Sequence, residues 1–297
     1  MGPGHAQKRP RGSDVLRVAI ARPLGVLVGA DPHLRLPDNA ECVHSARVAT
    51  RQLRTDLRLF SAALDPTWVA DVRVRLKQLA ALLGAVRDAD VLTRRIRTLA
   101  TRLPVADESA LDAILQKLGQ LRAAANDSLR LQLSEVWYVS LLDTLAAVVR
   151  NETGHRLAVP DIRLRRREVV AQTMRPCWKK LKRAVRRAGP GSDAAELHRI
   201  RIRAKSCRYA AEAITTFIPR DRRKPYKRFV RCLARLQERL GRLHDGVLGQ
   251  ATLRTMAGVD KSLIERIIVL EAASAVKDQT AWRANWEKLS CGKLRFW

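Results

Sequence analysis

The sequence predicts an all-α protein built from two tandem copies of one helical unit. Apolar residues recur at spacings of three and four along most of the 297 residues, whereas the alternating pattern of β-strands is almost absent. Two landmarks also recur in the same order. A basic segment beginning at His44 returns at His198, and a Gly-x-x-basic-Asp segment at Gly84 returns at Gly241. We therefore interpret the chain as an internal duplication of a unit of roughly 140 residues.

The first landmark is a basic stripe on a predicted helix. His44, Arg47, Arg51, Arg54 and Arg58 follow one another in alternating steps of three and four, which keeps them on one helix face. A second series, one position earlier and mostly apolar, consists of Val43, Ala46, Thr50, Leu53, Leu57 and Phe60. A one-residue offset is a turn of about 100°. The mostly apolar face can therefore be buried while the basic face borders a cavity or solvent.

The second copy of the stripe carries His198, Arg201, Lys205 and Arg208 in the same register, with Glu212 where the first copy has Arg58. Its companions at the same offset are Leu197, Ile200, Ala204, Cys207, Ala211 and Ile214. Tandem copies commonly pack about a pseudo-two-fold axis. In that arrangement the two basic stripes face each other across a shared channel.

The first half is predicted to contain the following elements. Residues 1–12 form a flexible basic tail, and residues 13–155 form the first half. Its predicted helices cover 15–28 (bent or broken at Pro23), 39–64 with Asn39 as N-cap, 68–85, a separate helix after Gly84 to 102, 109–133, and 134–150 after a kink.

The second half is predicted to cover residues 156–297. Its helices are 162–187 (disturbed at Pro176), a basic helix capped by Ser192 or Asp193 and ending before Pro219, 226–240, a helix after Gly241 to about 258, and 262–289.

The charge balance points to a polyanionic partner. The chain has 57 Lys and Arg against 29 Asp and Glu, a formal net charge of +28, which favours nucleic acid, phosphate chains or an anionic membrane. No apolar run reaches the roughly 18 residues of a membrane span. The five cysteines are scattered, without a Cys-x-x-Cys pair, so we expect a reducing cytoplasm.

The two landmarks together resemble the CHAD family, named for histidines in an α-helical domain. The residues that carry the resemblance are His44, Arg47, Arg51, Arg54, Arg58 and Phe60, followed by Gly84, Arg87 and Asp88, and then the second copies at His198 and at Gly241, His244 and Asp245. The resemblance runs from about residue 13 to the end. Trp137, Gln52 and Glu212 depart from the family pattern and affect the edges of the basic site.

The resemblance implies a domain that binds inorganic polyphosphate, in the cytoplasm and in association with polyphosphate granules. It also implies two antiparallel, four-helix-type bundles related by internal pseudo-two-fold symmetry, with a basic central groove or channel. Such domains are often joined to a CYTH triphosphatase domain, whose Glu-x-Glu-x-Lys signature is absent here. We therefore expect a CHAD domain without an attached CYTH domain.

The predicted phosphate-binding residues are cationic side chains of the two stripes and their flanking helices, because guanidinium, ammonium and imidazolium groups donate hydrogen bonds to phosphate. The expected core is Arg47, Arg51, Arg54, Arg58, Arg201, Lys205 and Arg208. The expected further contributors are His44, Arg75, Lys77, Arg87, Lys179, Lys182, Arg183, His198, Lys227 and His244.

Several alternatives remain open at this stage. A basic stripe is often only a solvated helix face, although like charges three and four residues apart repel one another. A packing role is the alternative for the histidines, and for Asp88 and Asp245 we expect a structural role, either capping the next helix or orienting an arginine. No metal site or cofactor is expected. Catalysis is not expected either, because the chain has no nucleotide-binding loop. Non-specific nucleic-acid binding is the main rival function, although aromatic residues make up only 4% of the chain.

Overall fold

The computed structural model describes residues 12–37, 39–61, 64–104, 107–150, 152, 166–189 and 192–297. These residues form nine α-helices and contain no β-strand. The helices are α1 (Gly12–Leu34), α2 (Ala40–Leu59), α3 (Pro66–Ala100), α4 (Glu108–Leu133), α5 (Val136–Val149), α6 (Arg166–Arg187), α7 (Ala194–Ala213), α8 (Arg223–Arg254) and α9 (Lys261–Ser290). The all-α prediction is confirmed. Of the tail predicted at 1–12, residues 1–11 lie outside the described residues, and Gly12 is the first residue of α1. The predicted boundary at 155/156 and the start of the predicted helix at 162 also lie outside them.

The first hydrophobic core lies among helices of the first half. It combines buried side chains of α1 and α2, the first part of α3, the end of α4, and α5. Leu53 and Leu57 of α2, from the predicted apolar series, are fully buried in it. The mostly apolar face of the basic helix therefore anchors that helix in the core, as its spacing predicts.

The second core lies among helices of the second half: α6, α7, the first part of α8 and the end of α9. Ile200, Ala204 and Cys207 of α7, again from the predicted apolar series, are fully buried. The last residues of the chain fold back onto this core. Phe296 packs edge-on against Phe229 and Tyr226 and is 4% exposed.

A third core joins the two halves. It is made by the ends of α3 and α8 and the beginnings of α4 and α9. The buried carboxylate of Glu271 on α9 forms an ion pair with Arg95 on α3, and the same arginine donates a hydrogen bond to the carbonyl of Arg242 on α8 (2.8 Å). A Cβ at Gly246 would lie only 2.8 Å from Glu271 Oε2, so this close packing of three helices requires glycine there.

Two predicted helix breaks are wrong. Gly84 and Gly241 lie inside continuous helices, α3 and α8, rather than at a boundary. Pro23 and Pro32 likewise lie within α1, which is not broken at either residue. Tertiary packing explains the continuity, because each helix buries apolar side chains on both sides of these residues. That burial outweighs the cost inside a helix of about 1 kcal/mol for a glycine and about 3 kcal/mol for a proline.

The predicted caps have mixed outcomes. Asp193 caps α7 by accepting a hydrogen bond from the Glu196 backbone N–H (2.6 Å). Asn39 occupies the N-cap position of α2, but its side chain makes no capping bond. The Asn39 amide instead donates to the Leu34 carbonyl (2.9 Å) and to Asn126 of α4 (2.6 Å), so this residue links three helices.

The two halves also meet where α2 packs against α7. These are the two basic helices that the sequence singled out. Among the described residues, no helix is long and apolar enough to cross a membrane.

Candidate anion-binding site

The two halves repeat one ion pair. Arg47 of α2 contacts Asp88 of α3 (Nη2 to Oδ1, 3.4 Å), and Arg201 of α7 contacts Asp245 of α8 at the same distance. The four residues occupy corresponding positions in the duplicated sequence. Each aspartate therefore orients the arginine of its own half. It does not cap a helix, because α3 and α8 run through these positions.

A glycine accompanies each of these ion pairs. Gly84 precedes Asp88 by one helical turn, and a Cβ built on it would lie 2.5 Å from Arg47 Nη1. At Gly241 the corresponding distance, to Arg201 Nε, is 3.8 Å. The first distance is too short for a real Cβ, whereas the second is an ordinary contact. Glycine at position 84 is therefore needed for the observed placement of Arg47.

Tyr209 connects the two basic helices. Its hydroxyl accepts a hydrogen bond from Arg51 of α2 (2.7 Å) and a longer one from Arg208 (3.4 Å). Both guanidinium groups also lie over its ring, at 5.8 Å and 5.0 Å from the centroid. The ring is 3% exposed. One buried tyrosine thus holds an arginine of each half in place.

We call Arg47, Arg51, Arg201, Lys205 and Arg208, together with Asp88 and Asp245, the central cationic cluster. Its cations act on one another across the two halves. Burial, and then the charges of Arg51, Arg201 and Arg47, lowers the pKa of Lys205 to about 7. Burial also lowers the pKa of both Arg47 and Arg201, each with a contribution from a cation of the other half. The α2–α7 packing therefore concentrates positive charge that two aspartates only partly neutralise.

Two hydrogen-bond donors of this cluster are unsatisfied. The Nε atoms of Arg201 and Arg208 are shielded from solvent and have no hydrogen-bond partner among the described residues. Leaving a buried donor unpaired costs roughly 1–3 kcal/mol. A bound anion would lower the mutual repulsion of the cations.

The histidines flank the cluster differently in the two halves. In the second half, His198 and His244 lie with their Nδ1 atoms 3.0 Å apart. Burial and the nearby Arg201 lower the pKa of His244 to about 4, and burial also lowers the pKa of His198. In the first half, His44 is exposed, and its pKa is lowered by burial and by the charge of Arg87. Arg87 occupies the position that corresponds to His244.

An acidic group interrupts the second stripe, as its sequence indicates. Glu212 lies 3.6 Å from Arg208 (Oε1 to Nε), and burial raises its pKa. Asp56 of α2 is fully buried, and neither of its carboxylate oxygens has a hydrogen-bond partner among the described residues. Burial, with a smaller contribution from Glu212, raises the pKa of Asp56 to about 8. Asp56 is therefore mostly protonated at neutral pH.

The remaining predicted residues of α2 and α3 lie at varied positions. Arg54 is half-buried, and its pKa is lowered by burial and by the charge of Arg73, a residue that the sequence reasoning did not select. Lys77 shares a face of α3 with Gly84 and Asp88, by its spacing of seven and eleven residues. Arg75 instead points toward α5, where it donates to Ser140, and it pairs with Asp71. Arg75 is therefore not brought to the cluster.

The predicted residues of α6 and α8 lie around the second half. Lys227 shares a face of α8 with Gly241, two heptads away. On α6, Lys179 and Arg183 are exposed and Lys182 is half-buried, and no hydrogen bond or ion pair joins these three to the cluster within the described residues. Burial raises the pKa of Cys177 on α6, and the charge of Arg58 lowers it. The exposed Arg58 of α2 therefore lies near α6.

Sequence reasoning did not identify Tyr209 as part of the site. The only available signal was its position directly after Arg208 in the second stripe, where one residue turns the helix by about 100° toward the core. Its contact with Arg51 depends on how the halves pack, and a pattern within one helix contains no such information. Among the described residues, no group of three or more His, Cys, Asp or Glu is arranged to hold a metal ion.

The fold and this cluster define a class of protein: an all-helical chain in which two basic helices, α2 and α7, bring their cations together. The model of the CHAD domain matches residues 18–254, and the chain belongs to that family.

Two uncharacterized proteins of Mycobacterium tuberculosis, from strains CDC 1551 and H37Rv, are each 31% identical to this chain over 192 residues. The match covers 59% of this chain and 34% of each relative, so it spans about a third of the relatives' length.

Two solved structures share the fold. The CHAD domain from the plant Ricinus communis superposes with a TM-score of 0.73 at 24% identity, covering 93% of this chain and 91% of that one. PptA from Streptomyces chartreusis superposes with a TM-score of 0.72 at 17% identity, covering 94% of this chain and all of the other (100%). At these identities the similarity concerns the fold alone.

The buried Asp56 predicts a specific pH dependence of stability. Because the pKa of Asp56 is higher in the folded state than in the unfolded chain, its contribution to stability is lost as the pH rises from about 4 to about 8. We expect Asp56→Asn to gain stability relative to the wild type over this range, by up to about 1.4 kcal/mol per pH unit. Urea denaturation at several pH values measures the difference.

The exposed Asp112 on α4 provides the control, since Asp112→Asn should leave the pH profile unchanged. A free-energy difference between Asp56→Asn and the wild type that stays constant from pH 5 to pH 8 would contradict the raised pKa.

Proposed function

We propose that this protein binds inorganic polyphosphate at the central cationic cluster, with the phosphate chain lying in a basic groove between the two halves. The observation that carries the proposal is the convergence of Arg47 and Arg51 with Arg201 and Lys205 across the α2–α7 contact. Membership of the CHAD family supports it, through the polyphosphate binding that the resemblance implies.

Phosphate is the ligand chemistry that best fits these groups. Guanidinium groups present paired N–H donors that match phosphate oxygens, and Lys205 adds a more compact charge. Because several cations act along two helices, an elongated chain of phosphates can contact more of them than a single phosphate ion can.

Nucleic acid fits the cluster less well. Proteins that bind single strands usually provide aromatic rings on which bases stack. The ring nearest the cations is that of Tyr209, which is buried and already lies against Arg51 and Arg208. A ligand without bases needs no such ring, so this arrangement favours polyphosphate over DNA or RNA.

We further propose that binding occurs without hydrolysis. Phosphoryl transfer generally needs carboxylates that hold metal ions. The two aspartates of the cluster each face an arginine, and the residues that the structure describes form no metal-binding group. Incubation with polyphosphate and Mg²⁺ should therefore release no orthophosphate above the level without protein.

Removing charge from the central cationic cluster should weaken polyphosphate binding. Replacing Arg51 and Lys205 together by glutamine removes one cation from each half and relieves repulsion, so the fold should persist. Hydrogen bonds to charged groups contribute about 1.5–3 kcal/mol each. We therefore expect polyphosphate affinity to fall by about 100-fold or more, measured by isothermal titration calorimetry at physiological salt.

A matched control removes the same number of charges elsewhere. Lys117 on α4 and Lys277 on α9 are exposed, so the double alanine variant should change the affinity by no more than about threefold. Equal losses of affinity in the two variants would show that binding depends on the net charge of the protein and not on the central cationic cluster. A competition experiment tests the rival function, nucleic-acid binding. That function would be favoured if single-stranded DNA displaced bound polyphosphate at a lower concentration than free polyphosphate of equal charge does.

The two glycines provide a second test. In Gly84→Ala the new Cβ displaces Arg47, whereas in Gly241→Ala it meets Arg201 Nε at an ordinary distance. Alanine also has the higher helix propensity, so both variants should fold. We expect Gly84→Ala to weaken polyphosphate binding by about tenfold and Gly241→Ala to have little effect. A reversed order would show that Arg47 does not contact the ligand.

The third prediction is proton uptake. A bound polyanion stabilises the charged form of Lys205, whose pKa in the free protein is about 7. Binding at pH 7 should therefore take up about half a proton at this residue, and affinity should fall by about 25-fold from pH 6.5 to pH 8.5. Calorimetry in two buffers of different ionisation enthalpy gives the proton count.

Lys205→Arg is the matching variant, because arginine stays charged throughout this pH range. It should bind polyphosphate with a flatter pH profile. An unchanged slope in this variant would assign the titration to another group.

A further inference from the structure

A second concentration of positive charge lies away from the central cationic cluster, between α8 and α9. We call it the outer basic pocket. It is a cavity of about 510 Å³ whose cationic lining consists of Arg228, Arg231 and Arg235 of α8 and Lys288 of α9. Cys232, Cys291 and Leu294 complete the lining.

The cations of this pocket are not neutralised by the protein. The lining contains no acidic residue, and none of the four cations makes a hydrogen bond or an ion pair within the part of the chain that the structure describes. The three arginines lie at steps of three and four on one helix face, an arrangement in which like charges repel one another. Without a bound anion, the mutual repulsion of these charges is unfavourable.

The next two cations along the same face of α8 are neutralised by an acidic residue of the protein. Arg239 and Arg242 lie one and two turns beyond Arg235, and both contact the carboxylate of Asp278 on α9, at 3.2 Å and 2.6 Å. The chain therefore neutralises one portion of the α8–α9 contact with its own acid and leaves the neighbouring portion open around a cavity. An external anion is the natural counterpart of the open portion.

The pocket and the central cationic cluster lie at different levels of α8 and border different helices. Arg231 and Arg235 face α9, whereas Asp245, which pairs with Arg201 of α7, lies ten to fourteen residues farther on, about 15–21 Å along the helix axis. A ligand in the outer basic pocket would thus occupy a different site from the proposed phosphate chain.

The walls of the pocket are held firmly. Leu294 is buried, and the residues after it are fixed by aromatic contacts, since Phe296 and Trp297 both pack against Phe229 of α8. Trp297 also packs against Trp178 of α6. The end of the chain consequently forms a built wall, which lowers the ordering cost of binding a ligand.

The size and lining of the pocket indicate the ligand class. A volume near 510 Å³ is in the range of small-molecule sites. Four cations match two or more phosphoryl charges, and the surface of Leu294 and the two cysteines suits an uncharged organic portion. We propose that the outer basic pocket binds a small organic phosphate with at least two phosphoryl groups, of the nucleoside di- or triphosphate type.

The test uses the Arg51→Gln, Lys205→Gln chain, in which the central cationic cluster is disabled, and three probes: ATP, tripolyphosphate without an organic portion, and adenosine without phosphate. ATP should bind with at least tenfold higher affinity than either fragment, by calorimetry at physiological salt. Absence of ATP binding at millimolar concentration, or equal binding of tripolyphosphate, would overturn the proposed ligand class.

Two variants separate the two sites. Arg231→Gln with Arg235→Gln should weaken ATP binding by about tenfold or more and leave polyphosphate binding within about threefold. Arg51→Gln with Lys205→Gln should leave ATP binding intact. Loss of ATP binding in the second variant but not in the first would assign the nucleotide to the central cationic cluster and sink the proposal. Circular dichroism and thermal melting of each variant check the fold.

The cysteines give an independent readout. Alkylation by N-ethylmaleimide, followed residue by residue by mass spectrometry, should slow at the exposed Cys291 when ATP is bound. Cys42 belongs to the first half and serves as the internal control. Equal rates at Cys291 with and without saturating ATP would contradict binding in this pocket. These results do not depend on whether polyphosphate binds, so failure of the proposed function and failure of this site remain distinguishable.

Discussion

The packing of α2 against α7 is the contact on which the rest of the site depends. It brings Arg47 and Arg51 into the same electrostatic environment as Arg201 and Lys205, and the pKa of Lys205 is lowered first by burial and then by the charges of these arginines. Such proximity is unfavourable by itself. It persists because α2 and α7 each bury an apolar face in a separate core, and because the third core fixes the far ends of α3 and α8 together.

Much of this arrangement follows from spacing. The offset between a mostly apolar and a basic series predicts which faces of α2 and α7 are buried, and Leu53 and Ile200 are fully buried as expected. The recurrence of the landmarks predicts equivalent roles for Asp88 and Asp245, either capping a helix or orienting an arginine. The structure shows the second role, and the choice of Arg47 and Arg201 as partners depends on how the helices pack.

What the sequence did not predict depends on packing between helices. Gly84 was interpreted as a helix end, whereas it lies within α3, where a side chain would collide with Arg47. Arg75 was grouped with the basic residues but turns toward Ser140. Tyr209 and Arg73 join the site only because α7 meets α2 and because α3 lies beside Arg54. A pattern within one helix contains no information about these contacts between helices.

The unequal histidine positions give the duplicated site two unlike ends. One end has Arg87 beside His44 and keeps its guanidinium charge at every physiological pH. The other has His244 against His198, and burial lowers the pKa of both, to about 4 for His244. The arginine–aspartate pairs of the two halves therefore correspond, whereas the positions that flank them differ in charge. A chain of phosphates, which reads the same in either direction, would meet a permanent anchor at one end and a conditional one at the other.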